Sequence, residues 1–244
     1  MTSARDALAA VAETLRQPRT TAALTTTGAG LVVIAFTVQQ TAGWPGYLAA
    51  LVLLCALLLL SLLARRDEID WTWSTLPITL VAYLAWAGLS VLWSEYTRVT
   101  LASVAYHLLV TFVGVYIALS RDTIQVIRSF GDVLRAVLIA SLVLELLSGI
   151  VLDAPIPALN LHGELAYGGP ISGLVSDRNQ LGLLAAIGAL TFAIEWRTKA
   201  IPRTIALPSL ALAAGVMVFT KSPVVAMVAV VLAAAAGVLY GIRR

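Results

Sequence analysis

Eight apolar runs succeed one another along the chain, separated by short polar punctuation. They cover residues 21–38, 46–64, 75–93, 100–120, 131–152, 180–196, 204–220 and 223–242. Within each run the apolar character is continuous rather than alternating. Membrane-spanning strands show period-two alternation, so the pattern predicts helices. Residues 1–20 stand apart. They hold Arg5, Asp6, Glu13, Arg16 and Arg19 without an apolar stretch of signal-peptide length. Ala7, Leu8, Val11 and Leu15 fall at helical spacing there. That segment reads as a cytoplasmic tail, either solvated or lying as an amphipathic helix on a membrane surface.

Composition narrows the class. The chain has 244 residues, of which 60% are hydrophobic and 12% charged, and its mean hydropathy is +0.93. Soluble domains carry about 25% charged residues. These values exclude an ordinary soluble enzyme, a disordered chain and a disulfide-rich module. The expected fold is an all-α polytopic membrane bundle of about eight helices, each near the roughly 20 residues a bilayer requires. The net charge of +3 does not point to nucleic acid, because the basic residues stand singly at the ends of apolar runs. Cys55, the one cysteine, lies inside a run and reads as a small packing residue.

Charge also orients the bundle. With the N-terminus cytoplasmic, 13 of the 16 basic residues fall on inner segments. Arg98, Arg178 and Lys221 fall on outer ones. This positive-inside asymmetry predicts a multi-pass plasma-membrane protein over residues 21–244 with both termini inside. The long connection, residues 153–178, is then an outer loop rich in glycine and proline. A loop beyond about 12–15 residues is usually functional or disordered.

Candidate chemistry gathers on that outer side. Ser176 or Asp177 is a natural N-cap for the sixth helix, and Arg178 stands at its start. A helix N-terminus beside a guanidinium is a candidate anion site. A capped helix with a snorkelling arginine is the alternative. Ser222-Pro223 repeats the signal for the eighth helix, with Lys221 beside it. Arg98 is expected to pair locally with Glu95, or else to form a wall of the outer site. Glu145 is read as the one acid well inside a run, with no second buried acid to accompany it. It is expected to pair with an outer cation such as Arg178, or to carry protons. Of the two histidines, His107 reads as a hydrogen-bonded helix residue and His162, in the outer loop, as an acid–base candidate. No metal, nucleotide or dinucleotide motif is present in the sequence.

Several of these stretches resemble a known family. Leu89-Ser90-Val91-Leu92-Trp93-Ser94 resembles the LSxLWS signature of the O-antigen ligase and polymerase family. Ser176 to Gly182 resembles its xxxNxxG element, with Asn179 and Gly182 at the matching positions. Lys221-Ser222 falls where many members carry a Ser/Arg-rich turn. The resemblance runs from about residue 75 to the end, and it implies a GT-C-like, metal-independent, inverting glycosyltransferase without a cofactor. Such an enzyme moves a glycan from an undecaprenyl-diphosphate carrier to an acceptor glycan, lipid or protein at the outer face of the plasma membrane. Set against the outer site, it suggests Arg178, Lys221, Asn179, Asp177, Ser222 and Arg98 as diphosphate-side residues and His162 and Glu164 as acceptor-side catalytic candidates, while the family's catalytic histidine belongs to an outer loop beyond this region. Family members carry further helices and a large outer loop beyond this region, so either a truncated form or a short relative that lost that half is expected. Two other classes stay open. One is a transporter of a small molecule or lipid-linked sugar that uses Glu145 as a coupling group. The other is a non-catalytic membrane subunit with a partner enzyme.

Overall fold

The computed structural model describes residues 6, 10, 13–67, 76–159, 161 and 163–242. The structure is 84% helical, with no strand among the described residues. Among the described residues, eight α-helices lie at the eight apolar runs: α1 (Pro18–Val33), α2 (Ala35–Ala64), α3 (Ile78–Leu89), α4 (Thr97–Ser120), α5 (Thr123–Leu146), α6 (Arg178–Thr198), α7 (Arg203–Phe219) and α8 (Pro223–Ile242). Among the described residues, four helical stretches are long and apolar enough to cross a bilayer: Ala35–Ala64, Thr97–Ser120, Thr123–Val151 and Arg178–Thr198. Ile78–Leu92 and Arg203–Phe219 are apolar but shorter.

Several boundaries differ from the apolar runs, each for a local reason. Helix α1 starts at Pro18, inside the expected tail, where a proline suits the first helical position. Of the tail's spaced apolar positions, Ala7, Leu8 and Val11 lie outside the described residues. Helix α2 runs back through Gly43 and Pro45 to Ala35 and is kinked there. Pro45 has no N–H to give the preceding turn, and its ring crowds that turn. Gly43 absorbs the bend at φ 72°, ψ 169°, which only glycine adopts without strain. Helix α5 begins at Thr123 rather than near residue 131, because Asp122 caps it by accepting the Gln125 N–H at 2.8 Å. Arg128 thereby becomes a helix residue, as Asp132 and Arg135 within the run already were. Helix α3 stops at Leu89 and passes through a tight turn, Ser90–Leu92. Ser94 fixes the path into α4: its hydroxyl lies 2.6 Å from that of Thr100 and accepts the Tyr96 N–H at 3.2 Å.

The chain forms two compact units. The first comprises Met1–Val32 and Trp44–Val126. Here α1, the main part of α2 and α4 pack together around Tyr47, Leu51, Leu58 and Tyr116, all fully buried. The Ser61 hydroxyl meets the Tyr116 hydroxyl at 3.1 Å, and Arg65 donates to Thr21 at 3.2 Å. Cys55 is buried and its thiol donates to the Leu109 carbonyl. Helix α3 buries no residue and leaves Ile78 and Trp86 exposed. His107 bonds the Ser103 carbonyl through a ring nitrogen at 2.7 Å, as a helix residue does.

The second unit comprises Val33–Gly43 and Ile127–Arg244. Leu134 and Leu138 of α5 meet Leu181 and Phe192 of α6 and Ala213 and Val216 of α7. Ile171 and Val175 of the connecting loop complete that core. Helices α6 and α8 approach at Gly182, where a Cβ would stand 2.3 Å from a Val225 methyl. This contact gives a packing reason for glycine there. At the far end of α6, Glu195 is fully buried and pairs with Arg135, which also donates to Ser209 and Asp132. Arg135 lies over the Phe192 ring at 5.0 Å. The expectation that Glu145 has no second buried acid is therefore corrected. The sequence hides Glu195 because it sits at the polar end of its run.

Gly131 lies directly against this pair, and a Cβ there would meet a Glu195 oxygen at 2.5 Å. Overpacking a close-packed site costs about 1–3 kcal/mol. Gly131→Ala is expected to lower stability by that amount, read as a lower unfolding temperature in detergent. A change no larger than that of Gly114→Ala, where a Cβ meets nothing, would contradict the packing assigned here.

Candidate functional site

The loop between α5 and α6 is anchored by two side chains one helical turn apart on α5. Glu145 is 2% exposed. Its Oε1 accepts the backbone N–H groups of Ser172 at 2.8 Å and Gly173 at 2.9 Å. Ser141 Oγ accepts the next amide, Leu174, at 3.0 Å. Three consecutive loop amides thus find partners on one helix face, since positions four apart share a face. Gly173 makes the close approach possible: it holds φ +57° and presses against Ser141, where a Cβ would stand 2.4 Å from the serine Cβ.

Among the described residues Glu145 therefore pairs with no cation, contrary to expectation. Arg178 forms no ion pair or hydrogen bond with any described residue. Backbone amides take the place of the cation. A carboxylate that accepts several N–H groups has its charge partly satisfied without a counter-ion. The second Glu145 oxygen, Oε2, has no hydrogen-bond partner among the described residues.

From the anchored amides the chain turns toward α6. Ser176 takes a left-handed conformation, φ 56°, and its hydroxyl donates to the Leu159 carbonyl at 2.7 Å. Asp177 is the N-cap and accepts the Asn179 N–H at 2.8 Å. Arg178 is thus the first residue of α6. Asn179 Oδ1 accepts the Ser222 hydroxyl at 2.7 Å, which joins the starts of α6 and α8. Ser222 Oγ in turn accepts the Val225 N–H at 3.3 Å.

A cavity of about 260 Å³ opens beside this turn. Glu145, Glu164, Ser172, Ser176, Asp177 and Arg178 supply its polar lining. The structure thereby brings together Glu145, Glu164, Asp177 and Arg178 of the residues singled out in the sequence. It does not bring Lys221 there. Lys221 adopts φ 45°, and its ammonium donates to the Gly168 carbonyl on the connecting loop. Asn179 and Ser222 are occupied with each other. Arg98 belongs to the other unit, where it is exposed, and no ion pair joins it to Glu95 among the described residues. His162 lies outside the described residues. Sequence reasoning missed Ser141 and Ser172, since a single serine inside or beside an apolar run carries no signal of its own.

The anchoring predicts a graded response. Glu145→Ala leaves the buried Gly173 amide and the part-buried Ser172 amide unpaired, at about 1–3 kcal/mol for a fully buried unsatisfied group. Amide hydrogen exchange at residues 172–174 is expected to rise sharply in that variant. Glu145→Gln keeps an acceptor oxygen, and exchange is expected to stay near that of the parent protein. Equal exchange in the parent and Glu145→Ala would refute the anchor. Comparison of the chain with protein-family models, with curated proteins and with solved structures finds no match.

Proposed function

We propose that this chain is an O-antigen ligase-like glycosyltransferase of the plasma membrane. In this reading its eight helices cross the bilayer in a GT-C-like arrangement with both termini cytoplasmic. It moves a glycan from an undecaprenyl-diphosphate carrier to an acceptor hydroxyl at the outer face. The observation that carries the reading is that Arg178 and Glu164, 14 residues apart, border one cavity at the start of α6. Inverting transfer needs those two roles in one place. The acceptor hydroxyl loses its proton to Glu164 as its oxygen attacks the anomeric carbon. The bond from that carbon to the diphosphate oxygen breaks on the opposite face. Negative charge then grows on the leaving diphosphate, where the Arg178 guanidinium and the positive end of α6 stabilise it. Arg178 suits the task because its planar fork binds two phosphate oxygens at once.

The remaining candidates take supporting roles in this reading. Lys221 holds the loop at Gly168, while Asn179 and Ser222 fix the register of α8 against α6. Glu145 acts through the loop amides. That role also weakens the transporter reading, which required Glu145 as the coupling group.

The test is transfer of a labelled oligosaccharide from undecaprenyl diphosphate, with the full-length protein in proteoliposomes. Arg178→Ala is expected to lower the rate by about 10²–10³-fold, the effect of removing one transition-state donor. Glu164→Gln is expected to lower it by about 10²–10⁴-fold, the usual contribution of a general base. Lys221→Ala is expected to have a smaller effect. Full transfer by Arg178→Ala would remove it from the site. Flux of the carrier across the vesicle without covalent transfer would favour a transporter. Inactivity until a co-purifying enzyme is restored would favour a non-catalytic subunit.

A further inference from the structure

The loop between α5 and α6 has a further attachment, from a distant part of the chain. The Thr37 hydroxyl donates to the Leu174 carbonyl. The Leu174 N–H is held by Ser141 at 3.0 Å. Both backbone polar groups of Leu174 are thus taken by side chains, one from α5 and one from α2. Leu174 stands directly ahead of the left-handed turn at Ser176 and the cap at Asp177, which start α6 at Arg178. Thr37 itself sits in a short stretch set apart from its neighbours. Val33–Gly43 belongs to the second unit, whereas Met1–Val32 and Trp44–Val126, on either side of it, belong to the first. Both borders are breaks in the helical chain. Ile34 separates α1 from α2 at one. Gly43 holds φ 72°, ψ 169° at the other, with Pro45 close behind. That backbone region is open almost only to glycine.

We propose that Val33–Gly43 is a lever that couples the first unit to the turn bearing Arg178, with Gly43 as its pivot and the Thr37 bond to Leu174 as its attachment. Hinges are a few element-terminal residues that absorb a change of φ and ψ. Gly43 is placed to do so, because it is where α2 passes from one unit to the other. A change arriving along α2 tilts the stretch about Gly43. Thr37 passes the tilt to the Leu174 carbonyl, and Leu174 passes it to the turn at Ser176. The lever makes Thr37 a positioning residue: it touches no ligand and acts through Leu174. Its consequence for transfer rests on the reading of the Arg178 cavity as the site of chemistry, while the coupling itself does not.

The experiment is amide hydrogen exchange on the full-length protein in nanodiscs, paired with the transfer assay. In the parent protein the amides of residues 38–43 and 174–176 are expected to open together, as members of one cooperative unit do. Opening of 38–43 with 46–64 instead overturns the proposal without any variant having to fold. Thr37→Val keeps the shape and removes the donor, and exchange at 174–176 is expected to rise about fivefold, the weight of one hydrogen bond. Thr37→Ser is expected to return the parent rate. Gly43→Ala forces the kink out of its glycine conformation, and it is expected to raise exchange at 174–176 by a similar factor. In the Thr37→Val background it is expected to add nothing there, since sites on one path are not additive. Full additivity overturns the lever. So does unchanged exchange at 174–176 in Gly43→Ala when exchange at 38–44 shows the kink disturbed. Coupled exchange with transfer lowered by Thr37→Val and restored by Thr37→Ser supports both the lever and the catalytic reading. Coupled exchange with undiminished transfer supports the lever and removes the turn from catalysis. Uncoupled exchange with Arg178-dependent transfer removes the lever and leaves the catalytic reading standing.

Discussion

The second unit depends on one interaction, the Glu145 carboxylate with the amides of Ser172 and Gly173. Backbone groups packed away from solvent need partners, so a non-helical segment pressed against a helix must find them in protein. Glu145 and Ser141 provide them for three residues in succession. Everything after this anchor is set by it. The loop enters its left-handed turn at Ser176, Asp177 meets the first free amides of α6, and Arg178 starts that helix at the cavity edge. Asn179 then receives Ser222 and brings the start of α8 alongside. Ile171 and Val175, on either side of the anchored amides, hold the same loop by apolar contact with the core.

Helix α5 carries a second polar anchor toward its other end. Arg135 precedes Glu145 by ten residues, about 15 Å along the axis. It is held by Glu195 of α6 and Ser209 of α7. The two anchors differ in kind. Glu145 satisfies backbone, and its loss loosens a loop. Arg135 and Glu195 satisfy each other, and removing either strands a buried charge, which costs far more than the intact pair contributes. One Glu195 oxygen remains without a partner, and Gly131 covers it closely. The apolar contacts between these anchors thus have their register fixed at both ends. A slide of α5 along α6 would break polar bonds at each.

Much of the helical pattern is legible in the sequence because it is a matter of composition. Eight apolar runs are eight helices, and the caps at Asp177 and Ser222-Pro223 lie where side-chain chemistry puts them. The errors are where a tertiary partner decides. Glu145 invites a cation because charged residues are visible in a sequence, whereas the backbone amides that fill its Oε1 are present at every residue. Glu195 and Arg135 resemble topology charges because each stands near the polar end of its run. The extension of α2 through Gly43 and Pro45 is hidden because both residues usually end a helix, and here a single positive φ permits continuation at a kink. The LSxLWS stretch illustrates a further limit. Its Ser94 holds a turn between two helices, a role that four residues either side do not reveal.

Arg178 and Lys221 show how little separates two similar signals. Each stands beside a helix N-terminus that begins with a side-chain cap. Arg178 follows its cap and is helical, so its side chain leaves from the first turn at the cavity edge. Lys221 precedes its cap in a left-handed conformation, which folds the chain back so that the ammonium reaches the Gly168 carbonyl. Standing before rather than after the cap converts a cation that faces a cavity into one that fastens a loop. The consequence concerns the cavity itself. The loop is fastened at Gly168 by Lys221 and at Ser172 and Gly173 by Glu145, so the lining between these points is held from both sides. A site fixed in this way discriminates by the placement of its charges rather than by closing around its ligand. Its selectivity in the proposed reading then comes from where Glu164 and the Arg178 guanidinium stand, neither side chain paired among the described residues.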